Sequence, residues 1–235
     1  MKALFIILSI FVISSTACFA QEKTQWGTVH YKADIRNADP EELSFLYRDL
    51  DQFNYFCASE FHRSEAAITQ YKKFITYLSL KKGLDKLVME RPYAYGYLVS
   101  QYLATGDTTI LKIATDTFWS FDKFGRKDEV SHDAYGLFKW LYEFMHKNDM
   151  SIKVVGVDLN QALHGTVELA AMQYLIEKHQ VQAYFKQSYQ ALAKLAQSEK
   201  PSFGKLKKWV TQFDSELAEG AAAVKEKLGD EYVLS

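Results

Sequence analysis

Cysteine is scarce in this sequence, with two in 235 residues, Cys18 and Cys57. Cys18 falls inside the predicted leader described below, so Cys57 alone remains after processing. A single cysteine cannot form an intrachain disulfide, which excludes the class of exported domains held together by such bonds. Because Cys57 lies in an apolar run, we expect a small buried hydrophobe there rather than a nucleophile.

The chain also lacks an excess of either charge. It carries 28 basic and 29 acidic residues, a formal net charge of −1. Loss of the leader removes Lys2 and leaves 27 basic and 29 acidic residues, a net charge of −2. This balance argues against nucleic acid as a partner, since a nucleic-acid interface needs a basic patch or stripe.

The apolar run from Ala3 to Ile13 is too short to span a bilayer. It follows Lys2 and precedes small residues that end at Ala20, the pattern of a signal peptide cleaved before Gln21. The sequence therefore predicts a signal peptide over 1–20, export to the periplasm or the outside of the cell, and no stable membrane span. A lipoprotein acylated on Cys18 ranks second, because the large aliphatic residue usual three places earlier is missing.

Several common catalytic motifs are absent as well. There is no Gly-x-Ser-x-Gly elbow, no phosphate-binding loop and no dinucleotide fingerprint. These absences argue against a serine hydrolase of the nucleophile-elbow design and against the common nucleotide-binding folds. We expect no cofactor.

Three short apolar runs are present, and an acidic residue follows each of them. Runs of this length and composition predict strands buried on both faces, and amphipathic helical stretches between them favour a parallel sheet. The three runs are Phe53–Ala58, Leu87–Met89 and Val154–Val157.

The acids after these runs are Glu60, Glu90 and Asp158, and His62 follows the first of them by two residues. Ligands of an open parallel sheet bind outside the carboxyl ends of its strands. We therefore expect these four side chains to meet on one rim of the sheet, with His62 as a general base. The alternative is a structural network in which His62 caps a turn and Glu60 pairs with a nearby arginine.

Helical patterns fill most of the remaining chain. They predict a short helix at Pro40, then helices over Glu65–Leu80, from Pro92 to about Thr105, over Val130–Met145, Val167–Ala196 and Phe203–Leu228, with an irregular aromatic segment over Thr108–Lys127. The predicted fold class is α/β: a three-layer core with a short, mostly parallel sheet flanked by helices over 38–160. A long helical hairpin over 165–230 completes a single domain over 21–235. Three strands are fewer than the usual number of about four to six, so we expect an incomplete domain.

The segment Ser59-Glu60-Phe61-His62 resembles the Gly-Glu-x-His motif of erythromycin esterase-like proteins. Further segments match that family in the same order and at similar spacing over about Glu41 to Leu159. They are Ile75–Leu78, Leu87–Glu90, Tyr102–Asp107 and Val154–Leu159.

The resemblance implies hydrolysis of a lactone or other ester by an activated water, without a covalent intermediate. His62 matches the general base of the family, Glu60 and Glu90 match its two acidic partners, and Asp158 matches an acid at the end of a later strand whose role stays open. It does not by itself make a macrolide the substrate, because one fold hosts many chemistries.

The chain departs from the family pattern at several positions. Ser59 replaces the glycine of the motif, and Tyr71 stands where some esterases have a basic residue. The second half of the family, with further strands and another active-site histidine, has no counterpart, and none of the other histidines matches it. Two hypotheses therefore stay open: an exported, weakly active hydrolase of truncated form, and a non-catalytic fragment or binding domain.

A metal-dependent hydrolase is a third alternative, since carboxylates and an imidazole suit several divalent ions. The ligands would be Glu60, His62, Glu90 and Asp158. No pair of histidines at helical spacing and no Cys-x-x-Cys supports this alternative. We therefore expect no bound metal.

Overall fold

The computed structural model describes residues 39–46, 50, 52–58, 65–119, 127–158, 165–196 and 202–234. The predicted signal peptide, Glu60 and His62 lie outside these residues. Helices dominate the described part of the chain. In order, the elements are the 3₁₀ helix η1 (Pro40–Leu46), α1 (Glu65–Lys82), β1 (Lys86–Pro92), α2 (Tyr93–Thr105), α3 (Thr108–Trp119), α4 (Lys127–Lys147), β2 (Lys153–Asp158), α5 (Gly165–Lys178), η2 (Gln182–Tyr184), α6 (Lys186–Ala196), α7 (Phe203–Leu228) and η3 (Gly229–Leu234).

Strands β1 and β2 form a parallel pair in which Lys86 lies opposite Lys153 and Met89 opposite Gly156. An irregularity between Met89 and Pro92 then shifts the register, so that Pro92 lies opposite Asp158. The predicted α/β class, with a short parallel sheet flanked by helices, is confirmed. The second and third predicted strands are these two.

The predicted first strand is wrong. Residues 53–58 have no regular secondary structure, and Tyr55 is 90% exposed. Phe56 alone of this run is half-buried, against a small cluster that contains Leu43 and Tyr77. Cys57 is exposed, so the expectation of a buried thiol is also wrong. An apolar run becomes a strand only where a neighbouring strand pairs with its backbone, and here the run is held by one side chain instead.

Burial in the sheet is one-sided, which corrects the expectation of strands buried on both faces. The main core is the hydrophobic cluster that includes Leu98, Phe138 and Leu141. Leu87 and Met89 are half-buried on the face that meets this core, whereas Val88 between them is 59% exposed. In β2, Val154 is buried and Val157 is 63% exposed. A strand covered on one face alternates in this way.

Helix α2 is the element that packs on the covered face. Gly96 brings its backbone against Gly156 of β2, where a Cβ on either residue would overlap main-chain atoms. One turn later, the Ser100 hydroxyl donates to the carbonyl oxygen of Val154 (2.8 Å) and accepts from its N–H (2.9 Å). Helix α2 ends at Gly106, whose φ of 73° favours glycine.

The segment after α2 also differs from its prediction as an irregular stretch. Its residues 108–119 form α3, which begins where the Asp107 carboxylate accepts the N–H of Thr109 at 2.8 Å, and residues 120–126 lie outside the described part of the chain. Ile110, Leu111 and Ala114 are buried in the main core. Aromatic residues near the end of the segment obscured a helical pattern that is clear in its first half.

The C-terminal region is a second helical layer with its own core, which includes Leu192, Trp209 and Phe213. Helix α7 matches its predicted bounds and packs against α6 as a hairpin. The single helix predicted over Val167–Ala196 is wrong: α5 ends at Lys178, Gln180 takes a φ of 54°, and α6 begins at Lys186. No helix in the described residues is both long and apolar enough to cross a membrane.

Candidate functional site

Two of the four predicted site residues lie in the described part of the chain, and both are at the carboxyl end of the sheet. Glu90 precedes the end of β1 by two residues, and Asp158 is the last residue of β2. Since the strands are parallel and Pro92 lies opposite Asp158, the sheet brings the two acids to the same edge. We call this edge, defined by Glu90, Pro92 and Asp158, the rim. Glu60 and His62 are outside the described residues.

The two acids approach the rim from different faces. Lys86, Val88 and Glu90 alternate along the exposed face of β1, and the Glu90 side chain is open to solvent. Asp158 continues the series of Val154 and Gly156 that faces α2, and it is half-buried. The Arg91 guanidinium donates to the carbonyl oxygen of Glu90 at 2.9 Å, which puts a positive charge at the same edge. The rim therefore combines two carboxylates with one guanidinium.

A denser polar cluster, which sequence reasoning missed, surrounds Glu231 in η3. Its carboxylate accepts hydrogen bonds from Tyr97 (3.0 Å), Gln101 (3.2 Å) and Lys178 (2.9 Å). His179 Nε2 lies 2.5 Å from the second oxygen. We call these five residues the Glu231 cluster. Its members lie on α2, on η3, and at or directly after the end of α5. These segments are far apart in the sequence, so no local spacing indicates the cluster.

The electrostatics of the Glu231 cluster follow from this geometry. Burial alone would raise the pKa of Glu231, but hydrogen bonds from Lys178, His179 and Tyr97 and the Lys178 charge outweigh it and lower the pKa. Burial, followed by the Glu231 charge, raises the pKa of the Tyr97 hydroxyl far above its usual range. With its oxygens occupied by donors, Glu231 is suited to hold η3 against α2 and α5 rather than to exchange protons.

A second carboxylate has a comparable structural role in the C-terminal layer. Glu216 of α7 accepts the N–H groups of Gln187 (3.0 Å) and Ser188 (3.2 Å) and the Ser188 hydroxyl (2.6 Å) at the start of α6. Burial opposes ionisation of Glu216, yet these hydrogen bonds prevail and lower its pKa. A cleft of about 560 Å³ beside it is lined by residues of η2, α6 and α7 and by none of the rim. The Glu216 carboxylate therefore caps the N-terminus of α6.

A buried ion pair joins η1 to α1. Lys73 Nζ lies 2.6 Å from a Glu42 carboxylate oxygen, and the Lys73 side chain is fully buried. Removing Glu42 would leave the Lys73 charge buried without this partner, which makes the pair sensitive to mutation. This pair fixes the position of η1 on α1. Neither of its residues belongs to the rim.

Metal ligation was the third sequence hypothesis. Among the described residues, no group of three or more His, Cys, Asp or Glu side chains is arranged to hold a metal ion. Because Glu60 and His62 are outside this part of the chain, the four-residue ligand set is not assembled here and stays a hypothesis.

Comparison of the chain with protein-family models, with curated proteins and with solved structures found no match. The resemblance to erythromycin esterase-like proteins therefore stays a prediction.

Proposed function

We propose that the chain is an exported hydrolase of a lactone or other ester, of the erythromycin esterase type. The observation that supports it most is the parallel pairing of β1 and β2, which places Glu90 and Asp158 at one end of the sheet. That is the edge where α/β proteins of this kind bind their ligands. Two acids separated by 68 positions in the sequence thereby share one edge.

In the proposed reaction, His62 removes a proton from a water molecule while the water oxygen bonds to the acyl carbon. The ester C–O bond then breaks, and the departing alkoxide takes the proton from His62. Glu60 and Glu90 orient the imidazole and stabilise its charged form. The products are a carboxylic acid and an alcohol, and no covalent enzyme intermediate forms.

The test is hydrolysis of a panel of p-nitrophenyl esters and lactones of different ring size by the full chain. His62→Asn and Glu60→Gln should each lower kcat/KM by about 10²-fold or more, the range for loss of a general base. His146→Asn is the matched control, because His146 lies on α4 with Nδ1 3.0 Å from the Tyr142 carbonyl oxygen. Equal rates for His62→Asn and the unmutated chain would show that the proposed base is wrong.

A non-catalytic binding domain is the second candidate. The observation that favours it is the irregular conformation of residues 53–58, which were expected to carry Glu60 and His62 to the rim as a strand. This candidate predicts that a lactone binds without turnover and with the same Kd to His62→Asn. Calorimetric titration alongside the rate assay separates the two candidates.

Export is part of the proposal and has its own test. The intact mass of the exported protein should correspond to an N-terminus at Gln21. A diacylglycerol adduct on Cys18 would instead establish the lipoprotein alternative.

A further inference from the structure

The two outer edges of the sheet differ in their hydrogen bonding. Lys153 N–H donates to the carbonyl oxygen of Asp85 at 2.8 Å, which fixes the phase of the parallel ladder. In this phase the backbone groups of Lys86 and Val88 point away from β2. Glu90 lies in the irregular step that follows Met89, and its carbonyl oxygen accepts from the Arg91 guanidinium. At the opposite edge, the N–H and carbonyl of Val154 also point outward, and both are taken by the Ser100 hydroxyl. Ser100 of α2 therefore occupies the outer edge of β2 at Val154.

The outer edge of β1 is open in the described part of the chain. No hydrogen bond from another described residue reaches the backbone of Val88 at this edge. Its side chain is 59% exposed, and Lys86 and Glu90 beside it are exposed too. An unpaired strand edge of this kind is a template for a further strand.

The side chains along this edge form a self-complementary series. Lys86, Val88 and Glu90 occupy every second position on the exposed face. A two-fold axis at Val88 would place each Lys86 opposite a Glu90 and Val88 opposite its own copy. Opposite charges directly across an antiparallel pair are favourable, and like charges are not. A register shift of two residues would lose both ion pairs.

We propose that β1 pairs with β1 of a second copy of this chain, in antiparallel orientation about a two-fold axis at Val88. The dimer has a continuous four-stranded sheet in the order β2, β1, β1, β2. Exposed Asp85 lies 3.5 Å from Lys86 Nζ and is a weak competitor for it. Arg91, bound to the carbonyl oxygen of Glu90, leaves the second lone pair of this oxygen for the partner strand.

This proposal does not depend on hydrolase activity. If the rim is catalytic, however, the dimer supplies one further charge to it, because Lys86 of the partner subunit then stands beside Glu90.

Disulfide trapping tests the pairing directly. In the full chain with Cys18→Ser and Cys57→Ser, Val88→Cys places two thiols across the axis, at a Cα separation of about 5.5 Å in a hydrogen-bonded pair. This separation suits a disulfide. Val157→Cys is the matched control, since Val157 is equally exposed but on β2, and three strand spacings of about 4.8 Å would separate its two copies. Oxidation should yield the covalent dimer at least about tenfold faster for Val88→Cys.

Charge reversal provides the second arm, measured by sedimentation equilibrium of the chain without engineered cysteines. Lys86→Glu should weaken self-association at least about tenfold, and Lys86→Glu combined with Glu90→Lys should restore it. Equal crosslinking of Val88→Cys and Val157→Cys would overturn the proposal. So would a monomeric intrachain disulfide between Cys57 and Val88→Cys in a further variant that retains Cys57, because the edge would then be occupied by residues 52–58 of the same chain.

Discussion

Two glycines control how closely α2 approaches the sheet. A Cβ on Gly96 would overlap the backbone nitrogen of Gly156 and lie 3.0 Å from the carbonyl carbon of Val155. A Cβ on Gly156 would overlap the carbonyl oxygen of Pro92. All of these neighbours are main-chain atoms, which cannot rotate away as a side chain can. Any larger residue must therefore separate the helix from the strand and disturb the rim that follows Pro92.

We predict that Gly96→Ala destabilises the protein by about 1–3 kcal/mol, the usual cost of overpacking. Gly136→Ala is the matched control, because Gly136 is also helical but nothing lies within 4 Å of its added Cβ. That change should be neutral or stabilise by up to about 1 kcal/mol, since alanine favours helix. Urea unfolding of both variants measures the difference. Equal stability of the two would mean that α2 does not pack on β2 as closely as described.

At the scale of elements, the start of α6 depends on a carboxylate from another helix. The first N–H groups of a helix lack partners within it, and α6 has Lys186, Gln187 and Ser188 in its first turn. Glu216 of α7 supplies the missing acceptor, and Trp209 Nε1 donates to the carbonyl oxygen of Ser188 at 2.9 Å. The hairpin of α6 and α7 is thereby fixed in both rotation and register.

We expect Glu216→Gln to cost about 1–2 kcal/mol, because it replaces the charged acceptor at a helix start with a neutral amide. Glu219→Gln, an exposed position almost one turn further along α7, should change the free energy of unfolding by less than about 0.5 kcal/mol. Both are measured by urea unfolding at neutral pH. If both variants lower the free energy of unfolding equally, the effect comes from the net charge of α7 and not from the hydrogen bonds at the start of α6.

The sequence predicted those elements whose burial pattern is local. Helices α1, α4 and α7 and strands β1 and β2 show their periodicity within a single window, and each forms close to its predicted bounds. The run over 53–58 has the composition of a strand, but a strand also needs a partner edge, which composition does not encode. The break between α5 and α6 depends on Gln180, which takes a left-handed conformation. A glycine at this position would have indicated the break, but glutamine gives no such signal.

In the candidate site too, some residues could be predicted from the sequence and others could not. Glu90 and Asp158 could be placed at one edge because an acid directly after a buried strand, in a parallel sheet, must lie at the carboxyl end. The Glu231 cluster could not be predicted, because its contacts join positions 52 to 134 residues apart. Such contacts depend on the packed arrangement of α2, α5 and η3.

At the scale of the whole molecule, the lowered pKa values of Glu231 and Glu216 link folding to pH. Each carboxyl binds its proton more weakly in the folded state than at the ordinary value of 4.5. The unfolded chain therefore binds more protons in acid, and stability rises with pH there. The contribution is fully present above about pH 4.5 and is lost as the pH falls through the lower folded values.

We predict that Glu231→Gln flattens this dependence. Its free energy of unfolding should be lower than that of the unmutated chain by about 1–3 kcal/mol at pH 7, because a charged acceptor is lost. The difference should shrink as the pH falls from about 4.5 to 3. Glu226→Gln, exposed on α7, should keep the original slope. Parallel curves for all three proteins in urea unfolding between pH 3 and 7 would contradict the assignment of Glu231.

We propose that the carboxyl ends of β1 and β2 form the rim of a hydrolytic site. The most direct measurement is kcat/KM for the best ester or lactone of the panel, in Glu90→Gln, Asp158→Asn and Asp85→Asn. Asp85 is the matched control, because it is exposed and lies just before β1, at the amino end of the sheet. We predict a loss of about 10²-fold or more for Glu90→Gln and a clear loss for Asp158→Asn, with Asp85→Asn unchanged. Hydrolysis that is absent from the unmutated chain, or that all three variants retain equally, would contradict this proposal.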